Sequence, residues 1–353
     1  MRVLLTGGCG FIGSAVIRHI IAATDHSVVN VDKMTYAASE DALAAARNHN
    51  RHRLVRADVA DPVAMRAAFE AHQPDAVMHL AAETHVDRSI DGAEPFVRTN
   101  VLGTYVLLDA ARAYFEALPG ARKAAFRFHH VSTDEVFGAL GPHDPPFTET
   151  TPYDPRSPYS ATKAASDHLV RAWHHTYGLP TLVSNTTNNY GPWQFPEKLV
   201  PLVLLNALEG RPLPVYGDGT NVRDWLFVDD HAEALVRVLE RGQVGATYAI
   251  GARQPRSNLA VVEAICDALD ARLPDPAGPR RRLIGFVADR PGHDFRYEID
   301  PSATEAALRW RAPHDFEAGL AATVDWYLAN RPWWESIRAG RYSGQRLGAA
   351  KAA

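Results

Sequence analysis

The sequence has little cysteine and no long apolar run. Its two cysteines, Cys9 and Cys266, lie far apart in the chain and in no spacing typical of a disulfide framework or a thiolate metal site. The longest strongly apolar stretch, residues 199–205, contains Pro201 and falls well short of the ~20 residues that a membrane span requires. We therefore expect no transmembrane segment, no interaction with a membrane, and a reducing cytoplasmic location.

Positive charge is also not in excess. The formal net charge is −4, which gives no basic field for gathering phosphate backbones, so nucleic acid is not an expected partner and any phosphate recognition must be local. The apolar stretch at the N-terminus is too short for a signal peptide and leads directly into a glycine-rich loop. A length of 353 residues predicts about two domains.

Short β-like runs alternate with longer helical patterns through the first half of the chain. The predicted strands are residues 2–6, 27–31, 53–56, 76–80, 126–131 and 181–185. Helical patterns at residues 11–22, 62–72, 95–115 and 157–177 supply the crossovers that parallel strands need. This alternation predicts an α/β fold: a Rossmann-like doubly wound parallel sheet spanning residues 1–190.

The pattern changes at Gly191, where turns rich in proline and glycine begin. We predict a smaller C-terminal α/β substrate-binding domain at residues 191–330. Strand-like segments at 225–228 and 246–250, around a helix at 230–241, suggest that residues 225–250 return to the first sheet. Residues 274–282 are predicted to form a surface loop. Residues 331–353 are predicted to be a C-terminal tail, poorly ordered after about residue 334.

A dinucleotide fingerprint lies between the first strand and the first helix, where Gly7, Gly10 and Gly13 allow a tight turn and close approach to a pyrophosphate. Asp32 follows at the end of the second strand, at the distance expected for a carboxylate that binds the adenosine ribose hydroxyls. Because that carboxylate would repel a 2′-phosphate, NAD is favoured over NADP, although the adjacent Lys33 weakens this inference. A glycine turn alone would carry little weight without the strand, the helix and the acidic residue.

Tyr159 and Lys163 stand four residues apart, on one face of a predicted helix. We predict that the ammonium lowers the pKa of the phenol, so that Tyr159 takes a proton from a sugar hydroxyl during hydride transfer. Such pairs occur on many solvated helices, but the position after a Rossmann half favours catalysis.

Asp134 and Glu135 follow an apolar strand, at the end where open α/β sheets bind ligands. The alternative is a solvated acidic turn. A 4-keto sugar has an acidic C5 proton, so one carboxylate can remove it while a protonated neighbour donates to the departing 6-hydroxyl.

With these motifs, the sequence closely resembles the extended short-chain dehydrogenases and, within them, the dTDP-glucose 4,6-dehydratases. The likeness covers about residues 1–330. It includes the glycine turn, the segments at residues 79–89, 132–136 and 159–163, and further motifs at 188–192, 195–199, 223–225 and 289–294. Epimerases of this superfamily usually have small hydroxyl residues where Asp134 and Glu135 stand, which favours dehydration over epimerisation.

The resemblance implies that Tyr159 is the base for oxidation at C4 and that Thr133 hydrogen-bonds the same oxygen. Asp134 is implied to be the acid at O6, and Glu135 to remove the C5 proton. The hydride then returns to C6, which gives the 4-keto-6-deoxy sugar and regenerates NAD in each turnover. The expected substrate is a nucleoside-diphosphate sugar, specifically dTDP-glucose.

The resemblance also implies the binding residues. The expected NAD contacts are Gly7, Gly10, Phe11, Ile12, Gly13, Asp32, Lys33, Thr35, Asp58, Val59, Leu80, Ala81, Ala82, Thr99, Tyr159, Lys163 and Asn189. The expected substrate contacts are Thr84, Thr133, Asn188, Lys198, Leu199, Pro214, Tyr216, Arg223, Asn258, Arg290 and His293. Among the latter, Arg223 and Arg290 would neutralise the diphosphate, and Pro214 and Tyr216 would hold the base.

We predict no metal, because the pairs His129-His130 and His174-His175 have neither a metal-ligand spacing nor an identifiable acidic partner. Helices of similar proteins pair across a two-fold axis, so a homodimer is expected. Two alternatives remain open. One is a different nucleotide-sugar dehydratase or epimerase, acting on a CDP- or UDP-linked sugar. The other is a non-catalytic NAD-binding regulatory protein, since fold alone does not prove activity.

Overall fold

The computed structural model describes residues 1–289 and 292–342. Its strands, numbered in chain order, are β1 (Arg2–Thr6), β2 (Ser27–Asp32), β3 (His52–Arg56), β4 (Ala76–His79), β5 (Arg127–Thr133), β6 (Thr181–Thr186), β7 (Asn188–Tyr190), β8 (Leu213–Tyr216), β9 (Val222–Phe227), β10 (Thr247–Ile250), β11 (Pro255–Ser257), β12 (Ile284–Val287) and β13 (Arg296–Tyr297).

A seven-stranded parallel sheet has the strand order β10-β6-β5-β4-β1-β2-β3. The order reverses between β1 and β4, and ligands bind at such a switch point, beyond the carboxyl ends of the strands. The six strands predicted in the first half all belong to this sheet, and their ends differ from the prediction by at most two residues. The predicted Rossmann-like doubly wound fold is confirmed.

Helices cover both faces of this sheet and continue into the second half of the chain. The helices are Phe11–Ala23, Pro62–His72, Val86–Asp91, Glu94–Phe96, Gly103–Ala117, Gly120–Ala125, Pro158–Tyr177, Leu199–Leu208, Val228–Arg241, Asn258–Arg272, Ser302–Leu308, Phe316–Ala329 and Arg331–Gly340. A π-helical turn, Val97–Leu102, joins two of them, so the helix predicted at residues 95–115 is one run with a wider turn near its start. No helix in the described part of the chain is long and apolar enough to cross a membrane.

The core has separate apolar clusters on the two faces of the large sheet and another in the second half of the chain. Parallel strands are buried on both faces, which explains the apolar runs at residues 3–5 of β1 and 76–78 of β4. Local sequence sets the helix starts. At helix Pro62–His72, for example, Asp61 accepts hydrogen bonds from the N–H groups of Val63 and Ala64 at 2.9 and 3.1 Å.

The prediction that residues 225–250 return to the first sheet is right for one strand and wrong for the other. β10 pairs with β6 and completes the large sheet. β9 instead lies at the centre of a smaller sheet, where it pairs with β7, β11 and β13. The reason is that the chain leaves the large sheet after β6, and the next strand, β7, pairs with β9. The division of the chain at residue 190 stays a prediction.

One expectation for the C-terminal part needs correction. Residues 331–340 form a helix, and Trp334 within it is 1% exposed and donates from Nε1 to the Tyr327 carbonyl at 2.9 Å. The tail is therefore folded beyond residue 334, and residues 343–353 lie outside the described residues. In the predicted surface loop at 274–282, Arg280 is buried and its Nη1 lies 2.6 Å from Asp270.

Candidate active site

A cavity of about 300 Å³ lies at the carboxyl ends of the strands of the large sheet. Most of the predicted site residues line it: Gly7, Gly10, Phe11, Ile12, Gly13, Asp32, Lys33, Thr35, Val59, Leu80, Ala81, Ala82, Thr84, Thr99, Thr133, Glu135, Tyr159, Lys163, Asn188, Asn189 and Lys198. Asp58 lies between the lining residues Ala57 and Val59, and its Oδ1 accepts from the Ala60 N–H at 2.9 Å. The sequence motifs thus converge on one cavity.

The glycine turn has no room for side chains. Gly7 has a φ of +75°, and a Cβ there would lie 2.8 Å from the backbone of Ala81 on the neighbouring strand connection. A Cβ on Gly13 would lie 2.2 Å from the Gly7 carbonyl oxygen. The first turn of helix Phe11–Ala23 therefore packs directly on the loop, and Gly10 provides no side-chain cap for its N–H groups. Those N–H groups are available to an anion.

Gly13→Ala should destabilise the protein, because the added methyl group must displace rigid backbone. We expect the free energy of unfolding to fall by about 1–3 kcal/mol, as for overpacking of a dense core. Urea denaturation of the variant and its parent measures this difference. Gly92→Ala is the matched control, since a Cβ at Gly92 meets nothing within 4 Å. Equal destabilisation by the two substitutions would contradict the proposed close packing.

Asp32 and Lys33 differ in where their side chains point. The Asp32 carboxylate is buried and accepts hydrogen bonds from the Cys9 and Met34 N–H groups at 2.9 and 2.7 Å, which ties the glycine turn to the end of β2. Burial raises its pKa above the ordinary value. The Lys33 ammonium donates to the Thr99 hydroxyl at 2.9 Å and lies 3.9 Å from Glu83. Protein groups therefore hold the Lys33 side chain.

Helix Pro158–Tyr177 brings Tyr159 and Lys163 to the cavity. Its start is fixed by a reciprocal capping box between Ser157 and Ser160. The Lys163 ammonium is buried and donates to the Val131 carbonyl on β5 at 2.9 Å. Burial lowers the pKa of Lys163 to about 8.

The prediction that Lys163 lowers the pKa of Tyr159 is wrong. Burial, and after it the negative charge of Glu135, raise the pKa of Tyr159 well above its ordinary value, whereas a hydrogen bond with Thr133 lowers it. The desolvation cost exceeds the effect of the ammonium, which is directed at the Val131 carbonyl.

Thr133, Asp134 and Glu135 lie at the point where β5 ends and a short 3₁₀ turn, Asp134–Phe137, begins. The Thr133 hydroxyl accepts from the Glu135 N–H at 3.2 Å and donates to Asp134 Oδ1 at 3.3 Å. Asp134 is 2% exposed, and its Oδ2 accepts no hydrogen bond from the described part of the chain. Burial, and after it the charge of Glu135, raise the pKa of Asp134 to about 8. Asp134 is therefore protonated at neutral pH and can donate a proton, whereas Glu135 reaches the cavity.

Among the described residues, the other predicted substrate contacts are not part of the lining of this cavity. Leu199 begins helix Leu199–Leu208, and Pro214 and Tyr216 lie on β8. Arg223 on β9 is buried, with its guanidinium 4.2 Å from the centre of the Tyr297 ring. Arg223 also opposes the rise of the Asp134 pKa, which places its charge near the carboxyl pair.

Three further predicted substrate residues complete the set. Asn258 begins helix Asn258–Arg272, and its N–H donates to the Asn221 carbonyl at 2.9 Å. His293 Nδ1 lies 2.6 Å from Asp289 Oδ1 and its ring stands edge-on to Tyr216, 6.0 Å between centroids. Arg290 lies outside the described residues. His293 and Tyr216 thus share one neighbourhood.

Sequence reasoning missed three buried polar residues around the site. His231 lines the cavity, with its ring nitrogens 3.1 Å from Thr186 Oγ1 and 2.8 Å from Asn189 Oδ1. Glu197 also lines it and accepts from the Tyr36 hydroxyl and Arg88 Nε, both at 2.8 Å. Asp167 lies behind Lys163 on the same helix.

The partners of these residues are distant in sequence, so no local pattern indicates their contacts, although Glu197 itself lies within the motif at residues 195–199. Asp167 also corrects one expectation, because its Oδ1 lies 3.1 Å from Nε2 of His130, for which no acidic partner was predicted. Within residues 1–289 and 292–342, no group of three or more His, Cys, Asp or Glu side chains is placed to hold a metal ion.

A doubly wound sheet with a glycine turn after β1 and a Tyr-x-x-x-Lys helix at the cavity defines the class of extended short-chain dehydrogenases. The family model described as GDP-mannose 4,6 dehydratase matches residues 4–323. The chain therefore belongs to this family of nucleotide-sugar dehydratases, which confirms the resemblance noted in the sequence.

Known proteins of high similarity support the same assignment. The chain is 55% identical over 353 residues to a dTDP-glucose 4,6-dehydratase of Neisseria meningitidis serogroup B, with 99% of each chain covered. It is 56% identical over 351 residues to dTDP-glucose 4,6-dehydratase 1 of Escherichia coli K12, with 97% of each covered. A crystal structure of the dTDP-glucose 4,6-dehydratase DesIV from Streptomyces venezuelae, with NAD and TYD bound, has a TM-score of 0.87 at 41% identity and covers 96% of this chain and 100% of its own.

Proposed function

We propose that this protein is an NAD-dependent dTDP-glucose 4,6-dehydratase, a hydro-lyase that converts dTDP-glucose to dTDP-4-keto-6-deoxyglucose. The observation that carries the proposal is the carboxyl pair at the end of β5. Buried Asp134 is protonated at neutral pH because its pKa is raised to about 8, and Glu135 beside it lines the cavity that also holds Tyr159 and Lys163. An acid and a base beside a hydride-transfer site are what an oxidation followed by elimination requires.

The residues present fit NAD. The N–H groups at the start of helix Phe11–Ala23 face the cavity without a side-chain cap from Gly10, which suits a pyrophosphate. Asp32 lines the same cavity where ribose hydroxyls would donate to it, and the Lys33 ammonium is engaged with Thr99. Buried Asp32 beside the glycine turn disfavours the 2′-phosphate of NADP. Bound NAD supplies the acceptor for the C4 hydride and the donor that returns it to C6.

The chain's own groups move the protons. Tyr159 takes the proton of the 4-hydroxyl during oxidation, with the Thr133 hydroxyl beside it on the same oxygen. The resulting ketone makes the C5 proton acidic, and Glu135 removes it. Asp134 donates its proton to O6, so that water leaves and a C5–C6 double bond forms. Hydride addition at C6 and protonation at C5 then complete the product.

The Asp134–Glu135 pair also separates dehydration from epimerisation, since an epimerase has no elimination step that needs a second acid and base. The nucleotide base is a separate question, because dehydratases for CDP- or UDP-linked sugars need the same pair. Incubation with each nucleotide sugar in parallel discriminates among these substrates.

The test of the proposal is incubation of the purified protein with dTDP-glucose in heavy water, without added NAD, followed by NMR of the sugar. We expect a 4-keto-6-deoxy product with deuterium at C5, formed by a cofactor that stays bound through turnover. Conversion of a CDP- or UDP-sugar instead would keep the mechanism and change the substrate. Inactivity with all three, even after addition of NAD, would favour a non-catalytic NAD-binding protein.

The raised pKa of Asp134 predicts an alkaline loss of activity. Asp134 can donate a proton only while protonated, so turnover should decline above about pH 8, at roughly tenfold per pH unit.

The ionisation of Asp134 should also affect stability, because burial disfavours the charged carboxylate. At pH values between the ordinary aspartate pKa and about 8, Asp134 is ionised in the unfolded chain but protonated in the folded protein. Its contribution to the free energy of unfolding therefore falls as pH rises through this range.

The variant Asp134→Asn tests the predicted pH dependence of stability, since an amide cannot ionise. The variant should be more stable than its parent above neutral pH, and this advantage should shrink as pH falls toward the ordinary aspartate range. Thermal unfolding over a pH series measures both proteins. An advantage that does not change with pH would contradict a protonated Asp134.

We further propose a homodimer and a cytoplasmic location. Large apolar side chains are exposed on the two adjacent helical segments that would pair: Val97, Leu102, Tyr105 and Tyr177. Each is 39–50% exposed, and covering them against a second copy would remove apolar area from water. The two buried free cysteines suit a reducing compartment.

Light scattering measures the oligomeric state, and Tyr105→Glu should shift it toward monomer because it would bury a charge at the contact. A monomeric parent would overturn the proposed dimer.

A further inference from the structure

Asp167 is a fully buried carboxylate that has no assigned role in the reaction. It lies one helical turn after Lys163 on helix Pro158–Tyr177 and is 0% exposed. Its Oδ2 accepts from the Tyr153 hydroxyl at 2.7 Å and from Asn185 Nδ2 at 3.1 Å. These hydrogen bonds favour the charged carboxylate, and a buried charge is costly unless a cation compensates it.

Several basic groups lie around Asp167. His130 on β5 lies 3.1 Å away, but burial lowers the His130 pKa to about 4, so the imidazole is neutral. His79 on β4 is also near Lys163, and burial lowers its pKa well below the ordinary value. Arg171 donates at 2.8 Å to the Tyr153 hydroxyl, which in turn donates to Asp167. The Lys163 ammonium stands one helical turn before Asp167, and the two charges attract each other, so that Asp167 opposes the lowering of the Lys163 pKa by burial.

Asp167 is also connected to the catalytic end of β5. Asn185 on β6 donates through the same Nδ2 to Asp167 Oδ2 and to the Thr133 carbonyl, in both cases at 3.1 Å. Lys163 donates to the Val131 carbonyl two residues earlier on β5. Asp167 is therefore linked through one side chain to the Thr133 carbonyl, two residues after the Val131 carbonyl that accepts from Lys163.

We propose that Asp167 is a positioning residue for the reaction: it is the buried counter-ion that keeps Lys163 charged and, through Asn185, holds the end of β5 in place. This inference rests on the proposed function, because Lys163 matters only if Tyr159 and Lys163 act in hydride transfer. Asp167 does not touch the reacting atoms and acts through Lys163. Its neutral replacement should therefore leave substrate binding intact and change the pH at which the oxidation step is lost.

The experiment uses an Asp134→Asn background, which removes the other group with a pKa of about 8. In this background the rate of nicotinamide reduction in a single turnover is measured against pH. In the parent of this series, the rate of nicotinamide reduction should fall as pH rises through the Lys163 pKa of about 8. Adding Asp167→Asn should move that inflection down by about one pH unit or more, the usual effect of an opposite charge, with an unchanged substrate KM.

Three companion variants keep the result interpretable. Asp167→Glu retains the charge and should largely restore the inflection. Tyr153→Phe removes one hydrogen bond to Asp167 but keeps the carboxylate, so its inflection should stay with the parent. Asp167→Ser carries the test if the asparagine variant does not fold.

If Asp167→Asn and Asp167→Ser lower the unfolding temperature but leave the inflection of the rate–pH curve where it is in the parent, the role of Asp167 is purely structural. That result would overturn the inference. A wild-type chain that never reduces its nicotinamide with any nucleotide sugar would overturn the proposed function and this inference together. The two failures are therefore distinguishable.

Discussion

Glu135→Gln should stop the reaction after its first step, leaving the bound nicotinamide reduced. Glutamine has the size of glutamate but cannot take the C5 proton, so elimination is lost while oxidation at C4 remains possible. We expect turnover to fall by about 10²–10⁴-fold, the usual contribution of a positioned acid or base. Single-turnover absorbance with dTDP-glucose should show reduced nicotinamide that persists.

The surroundings of Glu135 strengthen this expectation. Its charge raises the pKa of Tyr159, so its removal eases the deprotonation of the phenol and does not obstruct oxidation. The same charge raises the pKa of Asp134, which should be more acidic in the variant. The two changes act on different steps, and both leave the sugar halted at the 4-keto stage with no deuterium at C5 in heavy water.

Glu70→Gln is the matched control, because Glu70 is an exposed helical residue outside the cavity lining, and it should behave as the parent does. Normal turnover in Glu135→Gln would remove Glu135 from its role as the base. Loss of turnover without any reduced nicotinamide would instead place Glu135 in binding or in oxidation.

The contrast between local and long-range features shows what could be predicted from sequence. The glycine turn, Asp32, the Tyr159–Lys163 pair and the Asp134–Glu135 pair lie within short segments whose spacing fixes their geometry. All of them except buried Asp134 line the cavity. The six strands of the first half were predictable for the same reason, since apolar runs of strand length mark a parallel sheet.

Other features depend on partners that no local pattern indicates. Asp167 meets His130 and Asn185 only because β5 and β6 are neighbours in the sheet. The strand around Trp225 has the composition of a core strand, and only pairing with β7 places it in the smaller sheet. The direction of the Tyr159 pKa shift depends on how deeply the phenol is buried, which spacing along a helix does not reveal.

Tyr159→Phe should block the reaction one step earlier than Glu135→Gln does. Phenylalanine fills the same buried space but offers no oxygen to take the 4-hydroxyl proton, so the hydride cannot leave C4 at an appreciable rate. We expect turnover to fall by about 10²–10⁴-fold, with no reduced nicotinamide at any stage. The cofactor should stay bound, because the glycine turn and Asp32 are unchanged.

The order of the two steps makes the prediction sharper. When Tyr159→Phe is added to Glu135→Gln, the persistent reduced nicotinamide of the single variant should disappear, since oxidation precedes elimination. Tyr114→Phe is the control, because it removes a hydroxyl that donates to the Pro74 carbonyl at 2.9 Å, outside the cavity. Reduced nicotinamide formed at the parental rate in Tyr159→Phe would assign the first proton transfer to another group. The Thr133 hydroxyl, which hydrogen-bonds with Tyr159, would then be the group to replace next.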